Sequence, residues 1–135
     1  MDKSFKLDIV TPDKKFFEDN VEMIVINTKE GKIGVMSNHI PMVFAVVPGI
    51  IKIRKNGNDR TAFVSEGFME VGGNDVTLIV DAAEWPEDID VRRAEKAKER
   101  AEEKLRKELA HKEYIRYKAA LLRAVERIKI TKKSI

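Results

Sequence analysis

No cysteine occurs in this chain, which excludes a disulfide framework, a thiolate nucleophile and a cysteine-based zinc site. Histidine is nearly absent as well. His39 and His111 have no second ligand-type residue at metal spacing, so a core or turn role is expected for each and no metal is expected. Phosphate-binding glycine loops are missing, because Gly31-Lys32-Ile33-Gly34 lacks the Gly-Lys-Ser/Thr ending that a P-loop requires. Ser37 and Ser65 have neither an elbow motif nor a carboxylate to orient His39. No catalytic residues are therefore expected, and the chain reads as a non-enzyme. Long hydrophobic runs are lacking too. The longest, IPMVFAVVPGII, is broken by Pro and Gly and falls short of the roughly 20 residues of a membrane helix, so direct membrane insertion is not expected. The start shows no signal-peptide pattern, which favours the cytoplasm.

A length of 135 residues suits one compact domain, or one of about 85 residues with an appendage. The net charge of +3 is unevenly placed. Residues 1 to 86 hold 10 Lys and Arg against 13 Asp and Glu, a net of −3, whereas residues 87 to 135 hold 16 against 10, a net of +6. A basic segment of this kind attracts nucleic acid, anionic lipid, nucleotides or acidic protein surfaces, and charge alone does not choose among them.

The first 86 residues read as short strands. FKLDIV (5 to 10), KKFFED (14 to 19), VEMIVINT (21 to 28), MVFAVV (42 to 47), IIKIRK (50 to 55), TAFVSE (61 to 66), FMEV (68 to 71) and DVTLIVD (75 to 81) are rich in β-branched and aromatic residues. Turn chemistry separates them at Thr11-Pro12-Asp13, Lys29-Glu30-Gly31, Pro48-Gly49, Asn56-Gly57 and Gly72-Gly73-Asn74-Asp75. Residues 29 to 41 read as one loop. This spacing predicts a β-sandwich or flattened barrel.

After Trp85-Pro86 the period changes to that of a helix. Ala94, Ala97, Ala101, Leu105 and Leu109 recur every three or four positions, predicting a helix from Asp90 to about Ala110 with Asp88 or Asp90 as its cap. A turn is expected at His111-Lys112. A second helix, about Glu113 to Lys129, carries Tyr114, Tyr117, Leu121, Val125 and Ile128 on one stripe, widened by Ile115, Ala119 and Leu122. The expected product is an αα-hairpin with alanines at its seam. So thin a seam predicts a movable appendage, with domain boundaries at 1 to 86 and 87 to 135.

Arg93 and Arg100 lie seven residues apart on nearly one helix face, and Arg123 and Arg127 share a face at i and i+4. Like charges so placed repel, which suits an anion above them. Glu95, Glu99, Glu102 and Glu103 offer intrahelical partners, which suits a solvated face instead. The pattern leaves both readings open. Nucleic acid is the rival anion, but Tyr114 and Tyr117 are the helical half's only stacking platform and fall on the expected seam, so no nucleic-acid partner is expected.

The stretches GKIGVMSNHIP (31 to 41) and VSEGFMEVGGNDVTLIVDAAE (64 to 84) closely resemble two characteristic segments of the epsilon subunit of bacterial F-type ATP synthases, and FKLDIVTPDKKFFED resembles that family's first hairpin. The resemblance spans essentially the whole chain. It implies an N-terminal antiparallel β-sandwich of about ten strands followed by a C-terminal two-helix antiparallel hairpin. It also implies a noncatalytic central-stalk subunit of the rotor on the cytoplasmic side of the cell membrane, held there peripherally. The partners implied are the gamma subunit and the c ring, and the catalytic alpha/beta head when the hairpin extends and blocks ATP hydrolysis. Gly31, Lys32, Gly34, His39 and Pro41 correspond to the rotor interface, with Lys32 standing where family members often have Glu. Arg116, Arg123, Arg127, Lys132 and Lys133 are candidates for pairing with acidic surface on the head.

Some members of that family bind ATP between the folded-down helices through an Ile/Leu-Asp-x-x-Arg-Ala motif. This chain has Ile89-Asp90-Val91-Arg92-Arg93-Ala94, with Glu84, Arg100, Arg123 and Arg127 at the further corresponding positions. The resemblance thus implies no required cofactor and ATP as a regulatory ligand, with arginines neutralising phosphate oxygens. A freestanding nucleotide-sensing module is the alternative function.

Overall fold

Alternation of side chains decides the first half. In β1 (Phe5–Val10) Phe5, Leu7 and Ile9 are buried while Lys6 faces water. The same rule builds β2 (Lys15–Val21), β3 (Met23–Thr28), β4 (Gly31–Met36), β5 (Met42–Val46), β6 (Gly49–Lys55), β7 (Asn58–Val64), β8 (Gly67–Val71), β9 (Asp75–Val80) and the two-residue β10 (Ala83–Glu84). This is the computed structural model of the chain, and it describes residues 3–133.

The strands form one continuous ladder in the order β10-β7-β6-β3-β5-β8-β9-β1-β2, with β4 also paired to β3, folded over as a β-sandwich. All pairs are antiparallel except β1 with β9. Between the layers lies a core that includes Leu7, Ile24, Ile51, Met69 and Leu78. Asn56 and Gly57, at φ of 53° and 75°, make the tight turn between β6 and β7 that the Asn-Gly pair predicts.

Beyond β10, Trp85 stacks on Phe16 at 4.6 Å, meets Phe17 edge-on at 6.2 Å, and lies under the Arg60 guanidinium at 3.4 Å. A single 3-10 turn, Pro86–Asp88, then leads into α1 (Val91–Leu105). Asp90 is the N-cap, its Oδ1 accepting the Arg93 N–H at 3.1 Å. The second helix, α2 (His111–Lys133), returns antiparallel and lies on β6 and β7, so that α1 is the outer layer, packed on α2. Small residues set the seam: Ala94, Ala101 and Ala124 are buried, and Ile130 is fully enclosed.

Four expectations change. Residues 29 to 41 are not one loop, because Ile33 and Val35 alternate inward and carry β4 against β3. α1 ends at Leu105, short of Ala110: beyond it the backbone tightens into i→i−3 bonds from Arg106 to Glu103 and from Lys107 to Lys104, with Lys104, Arg106 and Lys107 suiting the negative end of the helix. His111 and Lys112 are consequently the first residues of α2 and make no turn. The expected apolar stripe of α2 is also rotated. Tyr114, Ile115, Leu122 and Val125 are exposed, while Ala124 and Ile130 are buried, since the small residues permit close approach and Arg123 and Arg127 are drawn to the sandwich.

Candidate functional site

The β10 strand and the capped start of α1 bring three residue types to one rim. Pairing of Glu84 with Phe63 in β7 fixes the carboxylate at the sheet edge, and the 3-10 turn holds Ile89 and Asp90 beside it. From α1, Arg93 and Arg100 project on one face; from α2, Arg123 and Arg127 face them across the alanine seam.

The result is a cleft of about 450 Å³ between the two helices and the sandwich edge. All eight residues singled out from the sequence line it: Glu84, Ile89, Asp90, Arg93, Ala94, Arg100, Arg123 and Arg127. Ala97, Ala120 and Ala124 also line it, and Asp88 and Lys96 add charge that sequence reasoning did not assign. Arg93, Lys96, Arg100, Arg123 and Arg127 stand against Glu84, Asp88 and Asp90, five cations to three carboxylates, a net of +2. That balance suits an anion bearing several negative charges, and the volume falls in the usual range for small-molecule sites.

The arginines are unequally engaged. Arg127 donates from Nε to Glu84 Oε1 at 2.7 Å, with its guanidinium 4.4 Å from the centre of the Phe63 ring. Arg123 donates from Nη1 to Glu66 Oε2, also at 2.7 Å. Among the described residues, Arg93 and Arg100 have no carboxylate within ion-pair distance of their side chains. Helix α2 is thus clamped to the sandwich by the arginines it brings to the cleft, while α1 presents its own arginines unpaired. Glu66 and Phe63 were missed in the sequence because nothing local connects them to residues some 60 positions away.

The second group of sequence candidates is dispersed. Gly31 and Lys32 begin β4, whereas His39 and Pro41 follow its far end, on the order of 17 Å away for a six-residue strand. Gly34 lies between them, opposite Val25. His39 donates from Nδ1 to the Ile40 carbonyl at 2.8 Å and meets Phe44 edge-on, which accounts for it as a turn residue. Ser65 is buried, its Oγ accepting the Ala82 N–H at 2.7 Å, and so serves the backbone. Lys132 is exposed and Arg116 lies 5.9 Å from the Tyr117 ring, while the Lys133 side chain lies outside the described residues. The register of β5, β8 and β9 also leaves Val43, Phe68 and Ile79 on one outer face, each at least half exposed, which the strand patterns did not disclose.

Comparison with known proteins covers both halves. A family model described as the ATP synthase Delta/Epsilon chain beta-sandwich domain matches residues 4–86, and one described as the long alpha-helix domain of the same chain matches residues 87–132. The chain is similar to the ATP synthase epsilon chain of Caldanaerobacter subterraneus subsp. tengcongensis, 49% identical over 134 residues that cover 98% of this chain and 97% of the relative. It is similar also to the ATP synthase epsilon chain of Caldicellulosiruptor bescii, 47% identical over 96% of this chain and 95% of that one. Among solved structures, a chain in the Euglena gracilis mitochondrial ATP synthase OSCP/F1/c-ring assembly superposes with a TM-score of 0.80 at 24% identity, covering 99% of this chain and 82% of that one, a likeness of fold. With both halves matched and full-length relatives near half identical, the chain belongs to the ATP synthase delta/epsilon chain family.

Proposed function

We propose that this chain is a noncatalytic central-stalk subunit of an F-type ATP synthase. Its sandwich joins the gamma subunit to the c ring, and its helical hairpin regulates ATP hydrolysis, held folded down by bound ATP. The observation that carries the regulatory reading is the convergence of Arg93, Arg100, Arg123 and Arg127 on one cleft rimmed by Glu84 and Asp90. Arginines on both helices can hydrogen-bond one polyphosphate only while the helices lie side by side, so the ligand stabilises that arrangement by its differential affinity. Glu84 and the backbone near it are suited to accept from an exocyclic amino group such as that of adenine.

Attachment is supported by the uncovered apolar face of Val43, Phe68 and Ile79, which offers a partner apolar surface to bury. No helix among the described residues is long and apolar enough to cross a membrane, and the proposed place is peripheral, on the cytoplasmic side, through the complex. Gly31, Lys32, Gly34, His39 and Pro41 are proposed rotor contacts, now divided between two ends of β4.

The experiment is reconstitution of the synthase with the full chain and with a chain lacking residues 87 to 135. Both should copurify with gamma, and the shortened chain should give faster ATP hydrolysis. Unchanged hydrolysis contradicts the regulatory role. Failure of the full chain to copurify with gamma contradicts the stalk role and favours a freestanding nucleotide sensor.

A further inference from the structure

Among the described residues, Arg123 is the cleft arginine whose ion-pair partner stands outside the cleft. Its Nη1 donates to Glu66 Oε2 at 2.7 Å, and Glu66 lies in the short connection between β7 and β8, not among the cleft-lining residues. The backbone of that connection is held on both sides. The Asp81 N–H bonds the Glu66 carbonyl at 3.2 Å, the Ser65 N–H bonds the Ala82 carbonyl at 2.9 Å, and Gly67 sits against the Ile79 carbonyl with no space for a side chain. Glu66 Oε1 is meanwhile buried and, among the described residues, without a hydrogen-bond partner.

A carboxylate with one buried, unpartnered oxygen depends on its single ion pair to offset its desolvation. A phosphate entering the cleft needs the same guanidinium. Arg93 and Arg100 have no ion pair among the described residues and can meet it, but Arg123 has Nη1 committed to Glu66, whose backbone is held, so bringing its full set of donors to the anion means giving up that pair. The anion would also come to lie near an uncompensated Glu66 charge.

We propose that Glu66 sets the affinity of the cleft by acting as a built-in competitor for phosphate at Arg123. Glu84 holds Arg127 in a different way, since Glu84 itself lines the cleft and can stay engaged while a ligand binds. The inference rests on the nucleotide-site reading above. Its consequence is a raised threshold: only an anion of sufficient charge and concentration recruits the fourth arginine.

The test is calorimetric titration of the full chain with ATP, in the unsubstituted protein and in Glu66→Gln, with Glu66→Ala as a second variant and thermal melts confirming that each is folded. Releasing Arg123 from a half-exposed pair should tighten ATP binding by about threefold to tenfold. The gain should vanish when Arg123→Ala is added, and persist when Arg93→Ala is added instead, an outcome that a purely structural role for Glu66 does not produce. Inorganic tripolyphosphate should follow the same order. Equal or weaker ATP binding by both Glu66 variants, with the unsubstituted chain binding, overturns this inference alone, as does a gain that survives Arg123→Ala. No binding by any chain at millimolar ATP overturns the nucleotide site together with it.

Discussion

Arg127 Nε lies 2.7 Å from Glu84 Oε1, joining the second helix to the last strand before the hairpin across 43 positions of sequence. The contact closes the hairpin back onto the place where it leaves the sandwich. Both partners are partly exposed, with side-chain exposures of 25% and 34%, so solvent screening limits the pair to about 0.5–1 kcal/mol. Arg123 with Glu66 is comparably exposed. A few such pairs, an alanine seam and Ile130 hold the helices down, which is a small enough set of contacts for a ligand or partner to outweigh.

Arg93 and Arg127 should therefore fail differently. Arg93→Ala removes a side chain with no ion pair among the described residues, so it should weaken ATP binding about tenfold or more with the melting temperature nearly unchanged. Arg127→Ala should weaken binding and also loosen the hairpin, seen as faster proteolysis within residues 87 to 133. Equal proteolysis in the two variants contradicts this division.

The seam tolerates little volume. Ala101 and Ala124 are 2% and 1% exposed, and Ala124→Leu should destabilise docking of the helices by about 1–3 kcal/mol. Amide exchange should rise across both helices while β1 through β9 stay protected. A substitution that leaves exchange in α1 and α2 unchanged shows that the helices are not packed at this residue.

Gly67 tests the sandwich separately. A Cβ there would sit 1.9 Å from the Ile79 carbonyl oxygen and 2.7 Å from Val80 Cα, so backbone would have to shift. Gly67→Ala should lower sandwich stability by roughly 2–4 kcal/mol in denaturant melts. A loss below 0.5 kcal/mol, on the order of an ordinary surface change, contradicts the close pairing of β8 with β9.

Acid should weaken the sandwich through its surface carboxylates. Glu18 is held below its ordinary pKa chiefly by hydrogen bonding from Lys6 and Lys15, Asp19 by Lys55, and Asp59 by Arg54. A depressed carboxylate stabilises the fold above its unfolded pKa and loses that contribution as pH falls through its folded value. Stability should thus be flat from about pH 5 to 8 and fall below about pH 4. Asp19→Asn should make the acid fall shallower in thermal melts, and an unaltered profile contradicts the role given to Lys55.

Much of this architecture is legible in the residues, for reasons visible element by element. Phe5, Leu7 and Ile9 alternate cleanly because β1 has one face on the core, and Asn56-Gly57 declares its turn because both residues take positive φ. β4 is hidden because Gly31, Lys32 and Gly34 leave only Ile33 and Val35 to mark it. The end of α1 has no Gly or Pro, so periodicity alone runs past Leu105. On α2 the longest apolar stripe is not the buried one, since the arginine pairs with Glu66 and Glu84 help fix which face meets the sandwich. The cleft itself is half legible: spacing places Arg93 with Lys96 and Arg100, and Arg123 with Arg127, but bringing the two helices together needs the hairpin, and Glu66 and Phe63, which hold Arg123 and Arg127 from outside the cleft, meet them only through tertiary packing.

Titration of the full chain with ATP, followed residue by residue by NMR, tests the account most directly. The account predicts saturable one-to-one binding, with shifts centred on Glu84, Asp90, Arg93, Arg100, Arg123 and Arg127, and with the signals of α1 and α2 sharpening as the hairpin is held down. Absence of binding at millimolar ATP, or binding undiminished by Arg93→Ala and Arg127→Ala, contradicts it.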